Sequence, residues 1–364
     1  FWGCLFNQDI TSWDTSSVNN MNRMFYNSQI FNQNIRVWSI GSWVDLTDMF
    51  ISAFSMLNEY GSTTGYGNTP NISFFNLDFK PTNKTALQTA VNEWCSNPRV
   101  TPGSYLGKDI NEWDTSLITD MSNLFKDKTT FNDDIGNWDT SNVMNMYEMF
   151  YNASTFNQDI SAWDVSNVTN MSYMFSTASA FNQYIGAWDV SNVTGMNSMF
   201  AGASDFNQDI SSKPNTIMNG QTYTAWNVSN VTNMNRMLKN ASMFNHPLDN
   251  WDVSKVTDMD NMFSGASVFN QPIGDWDVSK VTIMNYMFAN ASVFNQPIGN
   301  WDVSKVTNMS GMFNWAIAFN QPIGEWDVSD VTSMVYMFKN AQVFNQNIGE
   351  WNTSSVVNFM HMFY

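Results

Sequence analysis

The sequence predicts a repeat solenoid, a stack of coils of about 25 residues, each with one short parallel β-strand and a short helical or 3-10 return. Three observations lead there. Tryptophan recurs every 25 residues at Trp113, Trp138, Trp163 and Trp188, and again from Trp226 through Trp251, Trp276, Trp301, Trp326 and Trp351. A fixed period of this length is the signature of stacked supersecondary units. The apolar positions recur with the tryptophan, as in Phe269, Ile273, Trp276, Val278, Val281, Met284, Met287 and Phe288. One such unit cannot bury its apolar side alone, whereas neighbours stacked on it can. Finally, the 364 residues are 43% hydrophobic and only 13% charged, with 16 Trp, 28 Phe and 26 Met to fill a core.

Within a unit, Phe269 and Ile273 bracket Asn-Gln-Pro, and this stretch reads as the strand. Val281, Met284, Met287 and Phe288 are spaced three, three and one, which suits a short helical return with one buried side. Pro247, Pro272, Pro297 and Pro322 form a column at the end of that strand, since proline cannot donate to a ladder. Asn245, Asn270, Asn295, Asn320 and Asn345 form another, read as stacked amides that donate to one coil and accept from the other.

Three segments follow. Residues 1–75 read as the end of a first array, 76–104 as a capping helix and linker, and 105–364 as a second array. The 38-residue gap from Trp188 to Trp226 places an insertion at about 211–223, read as a loop bulging from one coil. Gly61, Gly65, Gly67 and Pro70 mark a loop. Leu87, Ala90, Val91 and Trp94 then lie on one face of a helix, with Thr82 or Asn83 as its cap, and that face is expected to cover the open end of the second array.

The string from Met149 to Phe175, M-F-x-x-A-x-x-F-N-Q-x-I-x-x-W-D-V-S-x-V-T-x-M-x-x-M-F in outline, resembles the BspA-like surface proteins. That is the leucine-rich-repeat-related group once catalogued as a mycoplasma protein of unknown function. The resemblance runs over nearly the whole chain. It implies a leucine-rich-repeat-like coil, an extracellular or cell-surface location and a role in binding or adhesion, and it supplies no catalytic residue.

No catalytic constellation is legible either. His246 and His361, the only histidines, are more than 100 residues apart in a linear stack, and no phosphate-cradling glycine loop is present. A net charge of −17 disfavours nucleic acid and anionic membrane surfaces. No run is long and apolar enough to span a bilayer, so no membrane insertion is expected of this segment. Cys4 and Cys95 read as small buried thiols rather than a disulfide framework.

The one site-like feature is the aspartate after each tryptophan: Asp114, Asp139, Asp164, Asp189, Asp252, Asp277, Asp302 and Asp327. Asn227 and Asn352 stand in two units, which favours a turn-capping role, because either side chain can accept backbone N–H groups. The alternative is a row of calcium ligands, with Asp252, Asp277, Asp302 and Asp327 as candidates. No other cofactor is expected. Glycosylation triplets occur at Asn71, Asn83, Asn152, Asn167, Asn170, Asn192, Asn227, Asn230, Asn240, Asn290, Asn308 and Asn352.

Two functions fit. The first is an extracellular structural protein: a glycosylated segment of a fibre or long surface stalk, joined head to tail to other copies or to further covalent repeats. The chain starts and stops partway through a unit at nearly the same phase. Phe1, Trp2, Leu5 and Phe6 on one face and Val356, Phe359, Met360 and Phe363 on the other are its expected interface. The second is a cell-surface adhesin or receptor-like module for a protein or glycan.

Overall fold

The structure, a computed structural model, describes residues 1–15, 17–38, 40, 44–58, 68–70, 75, 79–96, 109–218 and 220–364. The chain divides into two units, one formed by Phe1–Lys80 with Asn97–Asp114 and the other by Pro81–Ser96 with Thr115–Tyr364. The capping helix thus belongs with the second array, while residues 97–114 group with the first.

In the second unit, equivalent residues of successive 25-residue coils are joined by single parallel bridges, from Asp120↔Asn145 to Ser333↔Asn358. The bridges fall in the Met-rich segment, not in Phe-Asn-Gln-Pro-Ile. The spacing that suggested a helical return belongs instead to an unusual ladder. Backbone N–H groups of Met284, Tyr286, Phe288 and Asn290 donate to the carbonyls of Asn308, Ser310, Met312 and Asn314 in the next coil, at 2.7–3.4 Å. The N–H groups between them turn inward: Met287, Ala289 and Ala291 donate to the carbonyls three residues back, at 3.0–3.3 Å. Tyr286 and Asn290 take left-handed φ of 53° and 58°, which folds the segment into overlapping turns and rules out a helix. Every N–H from Met287 to Ala291 therefore has a partner, as buried backbone requires. The Phe269–Ile273 stretch is not a strand, because Pro272 has no N–H to pair and the run makes no bridge.

The core is three columns of rings. Phe263, Phe288 and Phe313 stack at 5.7 and 5.8 Å, and Phe269, Phe294 and Phe319 at 6.1 Å. The two columns lock together within each coil, with Phe288 and Phe294 4.0 Å apart. Trp276 and Trp301 stack at 6.5 Å. Both indoles are buried, Trp276 Nε1 donating to the Leu248 carbonyl at 2.9 Å and Trp301 Nε1 to that of Ile273 at 3.1 Å. A buried indole N–H needs such a partner.

Helix α1 (Phe54–Met56) is a single turn in the first unit. Helix α2 (Lys84–Ser96) opens on Asn83, whose Oδ1 accepts the Ala86 N–H at 3.0 Å. Its buried face is Leu87, Ala90, Val91 and Trp94. Lys84 pairs with Asp120 at 3.2 Å, Gln88 Nε2 donates to the Leu124 carbonyl, and Trp94 Nε1 to Asp133 at 2.8 Å. The helix thereby lies over the first coil of the second array. The insertion is a hairpin rather than a loop. Strand β1 (Lys213–Met218) pairs antiparallel with β2 (Gln221–Ala225), with Met218 opposite Gln221. Gly220 has φ of 76° in the two-residue connection, the role an Asn-Gly pair signals. In the first unit Asn20↔Asp45 is the equivalent bridge, and Trp13, Trp38 and Phe75 stack at 6.1 and 6.5 Å. The glycine-rich stretch around Gly61, Gly65 and Gly67 lies outside the described residues.

Two substitutions test this packing. Phe294→Ala should cost about 3–5 kcal/mol in urea unfolding, since the ring is fully buried between two others. Gly299→Ala should also destabilise, because a Cβ there would strike the Pro322 carbonyl of the next coil. Unchanged unfolding midpoints would contradict the ring columns and the close approach of adjacent coils.

Candidate functional site

The regular surface of the coils is built from polar columns, and each has a structural use. The Asn column is not an amide-to-amide ladder. Asn270 Oδ1 accepts the backbone N–H of Asn295 at 2.9 Å, and Asn295 Oδ1 that of Asn320. Gln296 Nε2 donates to both the carbonyl and the Oδ1 of Asn270 at 2.8 and 3.1 Å. These side chains supply the hydrogen bonds that a strand would have made. His246 takes the glutamine's place, its Nε2 3.0 Å from the Asn207 carbonyl. His361 stacks on Tyr336 at 5.6 Å.

The Asp column closes Asx turns. Asp252, Asp277, Asp302 and Asp327 each accept the N–H of the serine two residues on, at 3.0–3.1 Å. Asn227 and Asn352 do the same for Ser229 and Ser354. These serine hydrogen bonds hold Asp277, Asp302 and Asp327 below the usual carboxylate range. Among the described residues, no group of three or more His, Cys, Asp or Glu side chains is placed to hold a metal ion. A second Asx column went unread in the sequence. At Asp120, Asn145, Asn170 and Asn308 the side chain accepts the N–H two residues on, beside the parallel bridge. Its signal was the polar residue between Thr and Met in most units.

The glycosylation triplets divide by what their amides do. Asn167, Asn192 and Asn230 donate Nδ2 to the serine carbonyl of the preceding coil, at 2.7–2.8 Å, so a glycan there would displace a ladder bond. Asn152 donates to Asp127 at 2.9 Å. Asn170, Asn227, Asn308 and Asn352 use Oδ1 in Asx turns. Asn83, Asn240 and Asn290 are exposed, and the last two have left-handed φ. Asn71 lies outside the described residues. Cys4 and Cys95 are half-buried thiols, not a disulfide.

Each unit carries a depression. One, of about 610 Å³, is bordered by Trp13, Val18 and Met21, and the other, of about 440 Å³, by Ile348, Trp351, Phe359 and Phe363. Of the expected interface, Trp2, Leu5, Phe359, Met360 and Phe363 are exposed. Phe1 and Phe6 are instead half-buried, because Phe1 stacks on Phe6 at 4.6 Å and on Phe25 at 5.3 Å. Val356 is half-buried too. Phe338 is 3% exposed and its equivalent one coil on, Phe363, is 64% exposed.

A family model described as "Mycoplasma protein of unknown function, DUF285" matches residues 1–94, 100–213, 211–313 and 295–364. No curated protein and no solved structure matches the chain.

The Asx turns give a pH dependence. A carboxylate with a depressed folded-state pKa adds stability above the unfolded value of about 4, and that stability is lost as pH falls through the folded value. Asp302→Asn keeps the turn but loses the titration. The stability of the wild type relative to Asp302→Asn should therefore decline between pH 7 and pH 3 in urea unfolding. A constant difference would contradict the assigned role of the Ser304 hydrogen bonds.

Proposed function

We propose that this chain, which belongs to the DUF285 family of mycoplasma proteins of unknown function, is a non-enzymatic structural repeat protein of the cell exterior. On this reading it is a leucine-rich-repeat-like solenoid of the BspA-like kind, and a segment of a fibre or long surface stalk. The observation that carries the reading is the regular stack of coils, joined by parallel bridges from Asp120↔Asn145 to Ser333↔Asn358, in which each coil buries its apolar rings against the next. A stack of this kind gains length with every repeat and presents the same surface throughout, as a rod or stalk requires. Glycans on exposed triplets such as Asn83 would suit an extracellular surface.

The adhesin reading, in which the regular surface binds a protein or glycan, is the second candidate. No helix among the described residues is long and apolar enough to cross a membrane, so the proposal assigns this segment no insertion. Negative-stain imaging and sedimentation of native material separate the two. The stalk reading expects long rods. Short dispersed particles would end the stalk reading and leave adhesion.

A further inference from the structure

The coil around Trp315 departs from its neighbours at two linked positions. One column of the second array carries left-handed φ at Asp127, Asn152, Thr177, Gly202, Asn240, Gly265, Asn290, Trp315 and Asn340, and among these Trp315 alone is aromatic. Asparagine and glycine adopt that conformation readily, whereas a bulky side chain does so only under strain. Trp315, at φ 59°, is nevertheless there and is 47% exposed, so burial of its ring does not compensate. Two residues on, the preceding coils carry serines whose hydroxyls donate to the coil before, as Ser267 does to Ser242 and Ser292 to Ser267 at 3.0–3.3 Å. Ile317 ends that ladder and is 37% exposed. The serine column had tied coil to coil before Ile317, and at both positions an apolar group now faces water. Left-handed aromatics recur in this array, as at Tyr173, Tyr286 and Tyr336, so the signal at Trp315 is its exposed indole in a column where the other coils carry Asn, Gly, Asp or Thr.

We propose that Trp315 is the platform of a binding site for a neutral pyranose saccharide. An exposed indole offers a flat apolar face to the C–H side of a sugar ring. Asn290 and Asn340 stand one coil to either side in the same column. Side chains in this column do meet between coils, as Asn152 Nδ2 and Asp127 Oδ1 do at 2.9 Å. The Asn290 and Asn340 amides have no hydrogen-bond partner among the described residues, and so can serve sugar hydroxyls. Val293 and Val343 extend the apolar strip by one residue's width along the stack, narrow for a protein interface. Ser292 and Gln342 complete the neighbouring positions, and none of these six side chains is charged. On a chain of net charge −17, a neutral patch fits an uncharged ligand and disfavours sialylated or sulfated ones. The site does not depend on the stalk reading, since it lies on the side of a coil and not on its stacking face.

The test uses the full chain and its Trp315→Asn variant against immobilised neutral glycans: N-acetylglucosamine oligomers, β-glucans, galactosides and mannosides, with sulfated and sialylated glycans as controls. Asn is the residue of the adjacent coils here, so the variant should fold, with a melting temperature equal to or above that of the wild type. The expected result is binding of at least one neutral probe, weakened about tenfold or more in the variant. Absence of binding to every neutral probe, equal binding by the variant, preference for the anionic controls, or a clear fall in the variant's melting temperature would each overturn the proposal.

Discussion

The alternation of backbone hydrogen bonds in the Met-rich segment is the constraint on which the rest depends. One N–H points into the next coil, and the following one closes a turn within its own. The pattern requires a left-handed residue at every fourth position, and the array supplies pairs such as Asn123 with Asp127, Tyr173 with Thr177 and Tyr336 with Asn340. It also fixes the phase of the side chains, since residues between the left-handed positions, such as Met287 and Phe288, are directed into the core. With that segment set, the opposite side of the coil has no ladder of its own. Asn and Gln side chains hold it together instead, as Asn270 and Gln296 do. The tryptophan N–H supplies a further tie between coils.

Much of this was legible in the sequence, and the parts that were not have physical causes. The period, the buried columns and a helix cap at Thr82 or Asn83 are composition and spacing, which a sequence carries directly. The placement of the ladder was not. Met-x-x-Met-Phe has the spacing of a buried helical stripe, and the left-handed positions that prevent a helix are held by Tyr286, Trp315 or Glu148 as often as by Gly or Asn. Backbone conformation there is imposed by stacking rather than by local preference. The hairpin at Lys213–Met218 and Gln221–Ala225 did have a local signal, an Asn-Gly pair between Thr216-Ile217-Met218 and Thr222-Tyr223-Thr224. It was masked by the expectation that an insertion between coils is a loop.

The site residues read from the sequence separate in the same way. Aspartates after tryptophan could be recognised as turn caps because asparagine replaces two of them. The asparagine triplets could not be ranked without coordinates, since the sequence does not show that Asn167, Asn192 and Asn230 are spent on carbonyls of the preceding coil. Nor could Trp315 be singled out, because the sequence does not show that its column leaves the ring exposed. Repetition makes such departures informative.

The most direct measurement of the central constraint is residue-resolved amide hydrogen exchange along 284–291. The account predicts protection at Met284, Tyr286, Phe288 and Asn290, which donate between coils, together with Met287, Ala289 and Ala291, which close the turns. It also predicts that Ile317→Ser, which restores the surface serine column away from the 284–291 backbone ladder, leaves that pattern intact. Rapid exchange at Tyr286 and Phe288 with protection confined to the turn-closing amides would mean that the coils are not tied to each other through this segment, and would contradict the account.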